Sequence, residues 1–216
     1  MKIKWYGHSS FGITTAAGVT IITDPYTVGG YDGALAYKGG WPRADVVLQS
    51  HTHPDHTGGK VPGNPVVIAT SGAHQVKGIT FRGVVTGHDA SGGRERGANN
   101  VFAFEADGLK VAFMGDLGHV LSAAQVDEIG AVDVLFVPVG GHFTIDAAAA
   151  TKVAEQLKAR VVIPMHYRTP AIDFPIAPVD EFLKGKPKVD RVGAGEVELT
   201  AATLDGPRVV VLDYVG

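Results

Sequence analysis

The side chains best able to do chemistry sit in one short segment, His51-Thr52-His53-Pro54-Asp55-His56, which holds three of the nine histidines. The apolar run Val46-Val47-Leu48 leads directly into it. With the two-residue period of an extended chain, His51 and His53 leave on the same side and can share one cation. Pro54 stops strand pairing and presets a helical first-turn φ, so the chain turns there. Asp55 and His56 then project in a new direction, towards a second cation. Imidazoles beside a carboxylate suit Zn²⁺, Mn²⁺ or Fe²⁺. The bland alternative is a histidine-rich surface turn, but apolar strands rarely end in four ligand-type side chains without a site.

Any such metal must be held by nitrogen and oxygen, because the chain has no cysteine. This excludes disulfides, thiolate zinc sites, iron–sulfur clusters and cysteine nucleophiles. The 216 residues are 45% apolar and 19% charged, enough to bury a sizeable core and to argue against disorder. A single domain over 1–216 is the expectation. Nineteen basic residues against 22 acidic ones give a net charge of −3, which argues against nucleic acid as the main partner. The N-terminal segment Met1–His8 lacks the apolar stretch of a signal peptide, and no run approaches the roughly 18 apolar residues of a membrane span. A soluble, cytoplasmic protein with no membrane partner is expected, and homo-oligomerisation stays open.

Glycine (29) and proline (12) punctuate a series of short apolar runs. Strands are expected at 19–23, 45–50, 66–70, 101–105, 109–114, 132–137, 160–163 and 207–212, several of them apolar throughout as if covered on both faces. Helices are expected after Ser122, whose spacing to Gln125 is that of a capping box, over 146–159, and from Pro178 or Val179 to Leu183. The segment 27–40, rich in glycine and tyrosine, fits no regular element. A weak internal repeat pairs Phe11…Asp24 with Phe102…Asp116 and Ala44–Leu48 with Val132–Phe136. If real, it divides the chain into two halves near residue 100 with a site between them.

His51-Thr52-His53-Pro54-Asp55-His56 resembles the HxHxDH motif of the metallo-β-lactamase superfamily. Gly87-His88-Asp89, Met114-Gly115-Asp116 and Pro164-Met165-His166-Tyr167 resemble that family's later elements, in its order. Gly7-His8-Ser9-Ser10-Phe11, Thr23-Asp24-Pro25-Tyr26 and Val139–Thr144 resemble the bacterial branch that includes L-ascorbate-6-phosphate lactonase. The likeness runs from about residue 3 to residue 185 and implies an αββα sandwich, two mixed sheets face to face with helices outside. By the resemblance, His51, His53 and His88 hold a first metal, Asp55, His56 and His166 a second, and Asp116 bridges them. The cofactors implied are two divalent transition ions, zinc first, with manganese or iron and the occupancy open. Such a pair generates hydroxide from a shared water near neutral pH, and the centre stays cationic, favouring anionic substrates. Asp55 and Asp116 are the catalytic carboxylates, with Asp55 able to pass a proton to the leaving group.

The expected activity is hydrolysis of an ester, lactone or phosphoester in a small anionic molecule. The alternatives are a nuclease-type phosphodiesterase and a low-turnover metal-bearing sensor. Candidates for substrate contact are His8, His142, Arg94 and Tyr167. For His8 a structural hydrogen bond is an equal reading. Arg94 and Arg96 could instead form a solvated loop with their own Arg–Glu pairing. Tyr26, Tyr31, Tyr37 and Trp41 either line the entrance or anchor their loops. His74 and His119 read as exposed.

Overall fold

The structure, a computed structural model, describes residues 1–215. In chain order the elements are β1 (Lys2–Gly7), β2 (Ser10–Thr14), β3 (Thr20–Thr23), β4 (Val46–Leu48), β5 (Val66–Ile68), β6 (Gly72–Val76), β7 (Ile79–Gly87), β8 (Ala98–Ala106) and β9 (Leu109–Phe113). There follow α1 (Ala123–Ile129), β10 (Val134–Pro138), α2 (Ala147–Gln156), β11 (Val161–Met165), α3 (Val179–Leu183), β12 (Val189–Arg191), β13 (Glu196–Glu198) and β14 (Arg208–Val211). No helix among the described residues is long and apolar enough to cross a membrane.

The strands form a six-stranded sheet, ordered β13-β1-β2-β3-β4-β5, and an eight-stranded sheet, ordered β12-β14-β11-β10-β9-β8-β7-β6. Both are mixed. β1, β2 and β3 are antiparallel neighbours, and β4 and β5 join in parallel. β7, β8 and β9 repeat the antiparallel set, followed in parallel by β10 and β11. The weak repeat in the sequence thus corresponds to two copies of one strand pattern. Side chains from both sheets share one core, with Phe11 of β2 and Phe136 of β10 meeting at 4.7 Å between ring centroids. The expected two mixed sheets with flanking helices are present.

All eight strands expected from apolar runs overlap observed ones. The other six, β1, β2, β6, β7, β12 and β13, have no such run. In β7, Ile79, Phe81 and Gly83 point inward while Thr80 and Arg82 face solvent, and that alternation breaks at Val84, which is buried as well. α1 carries the Ser122–Gln125 capping box and stops at Gly130, φ 75°. α2 is capped by Asp146 but ends at Gln156, short of 159, because Lys158 takes the left-handed φ of 52°.

The outer face of the six-stranded sheet buries a second cluster, in which Tyr6, Ile22 and Val47 meet Tyr26, Leu35, Tyr37 and Trp41. The irregular segment 27–40 is therefore pinned by rings at its base. Tyr26 donates to the Tyr6 carbonyl at 2.7 Å, and the Trp41 indole to Ser10 Oγ at 2.8 Å. Gly7 lies against this cluster at φ 103°, where a Cβ would collide with the Tyr37 ring. Gly7→Ala should cost about 2–4 kcal/mol in urea denaturation, against about 1 kcal/mol for Gly18→Ala, which has a positive φ but open space around it.

Candidate metal centre

Asp24 follows β3 and receives two bonds from Ser50, from its amide at 2.7 Å and its hydroxyl at 2.6 Å. With its one proton given to the carboxylate, Ser50 Oγ accepts from His51 Nδ1 at 2.9 Å. His51 therefore turns an Nε2 lone pair towards the crevice between the sheets. Burial, and after it the neighbouring His56, pushes the His51 pKa down to about 2, so the ring is neutral. His56 is held in the same way, its Nδ1 donating to Asp24 Oδ2 at 2.6 Å. One carboxylate thus orients two imidazoles, one of them through a serine.

The eight-stranded sheet supplies the opposite wall. His88 follows β7, Asp116 follows β9 and His166 follows β11. Asn99 Oδ1 accepts the Asp116 amide at 2.9 Å, while Asn99 Nδ2 donates to Thr86 Oγ1 and the Met114 carbonyl, which fixes the turn that carries Asp116. Asp116 Oδ1 lies 3.1 Å from His56 Nε2, and its Oδ2 lies 3.2 Å from both His88 Nε2 and His166 Nε2. Burial alone would raise the Asp116 pKa, but His166 and His56 outweigh it and hold the group well below the usual carboxylate range. Burial likewise opposes charge on His56, yet Asp116, Asp55 and Asp24 together keep its pKa well above the ordinary histidine value.

The donor atoms of His51, His53 and His88 lie within 4.8 Å of one another, as do those of His8, Asp55, His56 and His166, with Asp116 in contact with both groups. Nε2 of His56, Nε2 of His166 and Oδ1 of Asp116 are buried without hydrogen-bond partners. His51 Nε2 and His53 Nδ1 approach to 3.0 Å, and His56 Nε2 and Asp55 Oδ2 to 3.4 Å. Two ligand atoms bound tetrahedrally at about 2.1 Å sit about 3.3–3.4 Å apart. These spacings, the orphaned donor atoms and the imidazole–carboxylate chemistry fit two divalent transition ions.

A cavity of about 180 Å³ opens onto the cluster, lined by Tyr31, His53, Asp55, His88, Asp116, Phe143 and Phe174. Hollows of about 330 and 470 Å³ elsewhere contain none of the proposed ligands. None of the four substrate-contact candidates lines this cavity, although His142 lies beside its wall. His8 is fully buried behind Asp55, its Nε2 3.0 Å from Asp55 Oδ2. Tyr167 packs on Trp5 at 5.2 Å and faces the 470 Å³ hollow, because it follows the αL residue His166 and points back into the core. Arg94 is exposed and does not line the cavity, and Asp89 gathers its loop by accepting from Ser91, Gly93, Glu95 and Arg96. Arg96 does not line the cavity either, but its guanidinium lies 5.5 Å from the centre of the Phe143 ring at the cavity wall. His142 is exposed, with its ring 4.4 Å from that of Phe143. His119 is half-buried rather than free, accepting from the Gly87 amide at 3.0 Å, and His74 bonds the Thr70 carbonyl.

Asp24, Phe143 and Phe174 were not among the sequence-derived site residues. Asp24 had a signal, since the repeat pairs it with Asp116, and Phe143 lies in the 139–144 motif; Phe174, in an irregular segment, had none. Tyr31 donates to Asp55 Oδ1 at 3.0 Å. Asp24→Asn should weaken metal binding about 10–100-fold in a metal titration, by loosening both oriented imidazoles. His166→Ala should lower metal content by elemental analysis, and His142→Ala should leave it unchanged.

Residues 2–166 match the β-lactamase superfamily domain. Two proteins called UPF0173 metal-dependent hydrolases, from Thermococcus onnurineus and a Geobacillus species, are 30% and 31% identical, covering 78% and 83% of this chain and 85% and 89% of their own lengths. A crystal structure from Thermotoga maritima, described as a Zn-dependent hydrolase of the metallo-β-lactamase superfamily, superposes with a TM-score of 0.83 at 42% identity, covering 99% of both chains. With its strand pattern, its histidine–aspartate cluster and these relatives in agreement, the chain belongs to the metallo-β-lactamase superfamily.

Proposed function

We propose that this metal-dependent hydrolase cleaves an ester, lactone or phosphoester bond in a small anionic molecule. His51, His53 and His88 would hold one divalent transition ion, Asp55, His56 and His166 another, and Asp116 would lie between them. Bound there, the two ions supply an activated water nucleophile and a Lewis acid for the scissile carbonyl or phosphoryl oxygen. The observation that carries the reading is the pair of donor clusters joined by Asp116 at the floor of one cavity.

The remaining work falls to the chain's own residues. Asp55, at the cavity wall, is placed to accept a proton during attack and return it to the leaving group. With both ions bound, the negative charge of Asp116 would offset their mutual repulsion. Tyr31, Phe143 and Phe174 form an apolar mouth that excludes bulk water, with ring separations of 5.3 and 5.7 Å around Phe174. Arg96, stacked on Phe143, provides a cation for a substrate carboxylate or phosphate. A cavity of about 180 Å³ favours a small molecule over a polymer. The likeness to the lactonase branch, carried by the 7–11, 23–26 and 139–144 motifs, makes lactones the first class to try.

The test is a screen of lactones, phosphodiesters, thioesters and β-lactams with protein reloaded with Zn²⁺ or Mn²⁺. A small lactone or ester should be turned over by the loaded protein, and lost on chelation. Asp116→Asn should stay folded and lose at least about 100-fold in kcat. Preference for a nucleic acid would overturn the substrate class, and metal uptake without turnover of any class would favour the sensor reading.

A further inference from the structure

We infer that His8 is a ligand of the second metal ion, beside Asp55, His56 and His166. The inference rests on the metal-centre reading above and adds a residue that this reading does not use. His8 is fully buried, and its ring centre lies 4.1 Å from that of His166 and 5.2 Å from that of His56. Its Nε2 stands 3.0 Å from Asp55 Oδ2, near the roughly 3.3 Å expected of two ligand atoms on one tetrahedral ion.

The backbone at His8 is built for this placement. Its φ is 53°, a conformation L side chains adopt rarely, and His166 takes the same conformation at 52°. The His8 carbonyl accepts both the Trp5 indole at 3.1 Å and the His166 amide at 3.3 Å. The two strained residues are thus tied together, which sets the spacing of their rings. Strain held by several contacts at the edge of a polar cluster points to a use for the side chain.

The duplicated strand pattern points the same way. Gly7-His8 closes β1 as Gly87-His88 closes β7, each the first strand of its antiparallel set. Asp24 and Asp116 follow the third strand of each set. His8, His88 and His166 also share one arrangement: Nε2 meets a carboxylate, and Nδ1 is buried with no partner. His51 and His56 differ, since their Nδ1 atoms are anchored to Ser50 and Asp24.

Two roles can be separated by experiment: His8 as ligand, or His8 as an N–H donor that only steadies Asp55. His8→Gln keeps a donor within reach of Asp55 but removes the imidazole. In Co²⁺ titrations the wild type should take up two ions, and His8→Gln should bind the second at least about 100-fold more weakly, with the first unaffected. His8→Cys places the chain's sole cysteine at this position, so its Co²⁺ form should show a thiolate-to-cobalt charge-transfer band. In the wild type, paramagnetically shifted imidazole N–H resonances of the Co²⁺ form should include one more than His51, His53, His56, His88 and His166 supply. The inference is overturned if His8→Gln titrates like the wild type, if His8→Cys binds two ions without the band, or if the extra resonance is missing. A wild type that takes up no Co²⁺ would instead overturn the metal-centre reading itself.

Discussion

Three carboxylates, Asp24, Asp55 and Asp116, are buried among histidines in the crevice between the two sheets, and their negative charge has to be balanced where it stands. Leaving it unpaired in so dry a place would cost several kcal/mol per group. Without another cation, the nearest balance is a proton, and His56, in contact with all three, is the ring whose charge they stabilise most. The Nε2 that such a proton would occupy is the atom that faces the cluster. Proton and metal therefore compete for the same place, and metal binding should release protons.

That cluster exists because both sheets end their strands at one edge. In the six-stranded sheet, Thr23 pairs with Leu48, so Asp24 and the segment 49–56 emerge together. In the eight-stranded sheet, Phe113 pairs with Phe136 and Pro138 with Met165, which brings out Asp116 and His166 at the same level. A shared apolar core holds the two edges in register, so shifting either sheet would separate the donors. Polar anchors complete the fit: Ser50 also accepts the Asn100 amide through its carbonyl, at 2.9 Å, linking β8 to the loop that carries His51.

What could be read from the sequence followed the chain's own contiguity. The 51–56 segment puts four donors on consecutive turns of a strand end, and spacing alone exposes them. His88, Asp116 and His166 lie far apart and are legible only through a family's order of motifs. Asp24 could be found through the repeat, because β2–β3 and β8–β9 are the same hairpin leading to an aspartate. β7 escaped a search for apolar runs because Thr80, Arg82 and Val85 face solvent and the glycines Gly83 and Gly87 break up its apolar residues. Tyr167 was misplaced because nothing in Met165-His166-Tyr167 reveals that His166 takes a left-handed backbone and sends the next ring the other way.

The same division explains where selectivity can change without disturbing the centre. The clustered histidines and aspartates stand at strand ends, fixed by two sheets, whereas the mouth is made of side chains from three separate connections. Tyr31 comes from the 27–40 segment, Phe143 from the turn after β10 and Phe174 from the stretch between β11 and α3. The 27–40 segment is fixed at its base by Tyr26, Tyr37 and Trp41, all buried, and is cross-linked to the Phe174 stretch by the Ala36 amide, which donates to the Ala171 carbonyl at 2.8 Å. At its tip Tyr31, 45% exposed and at φ 54°, leans on Phe174 and touches Asp55. A ring held this way sets the shape of the entrance and also hydrogen-bonds a carboxylate of the centre. Replacing the tip would alter which molecules enter, while the buried rings would keep the loop in place and the strand ends would keep the donors together.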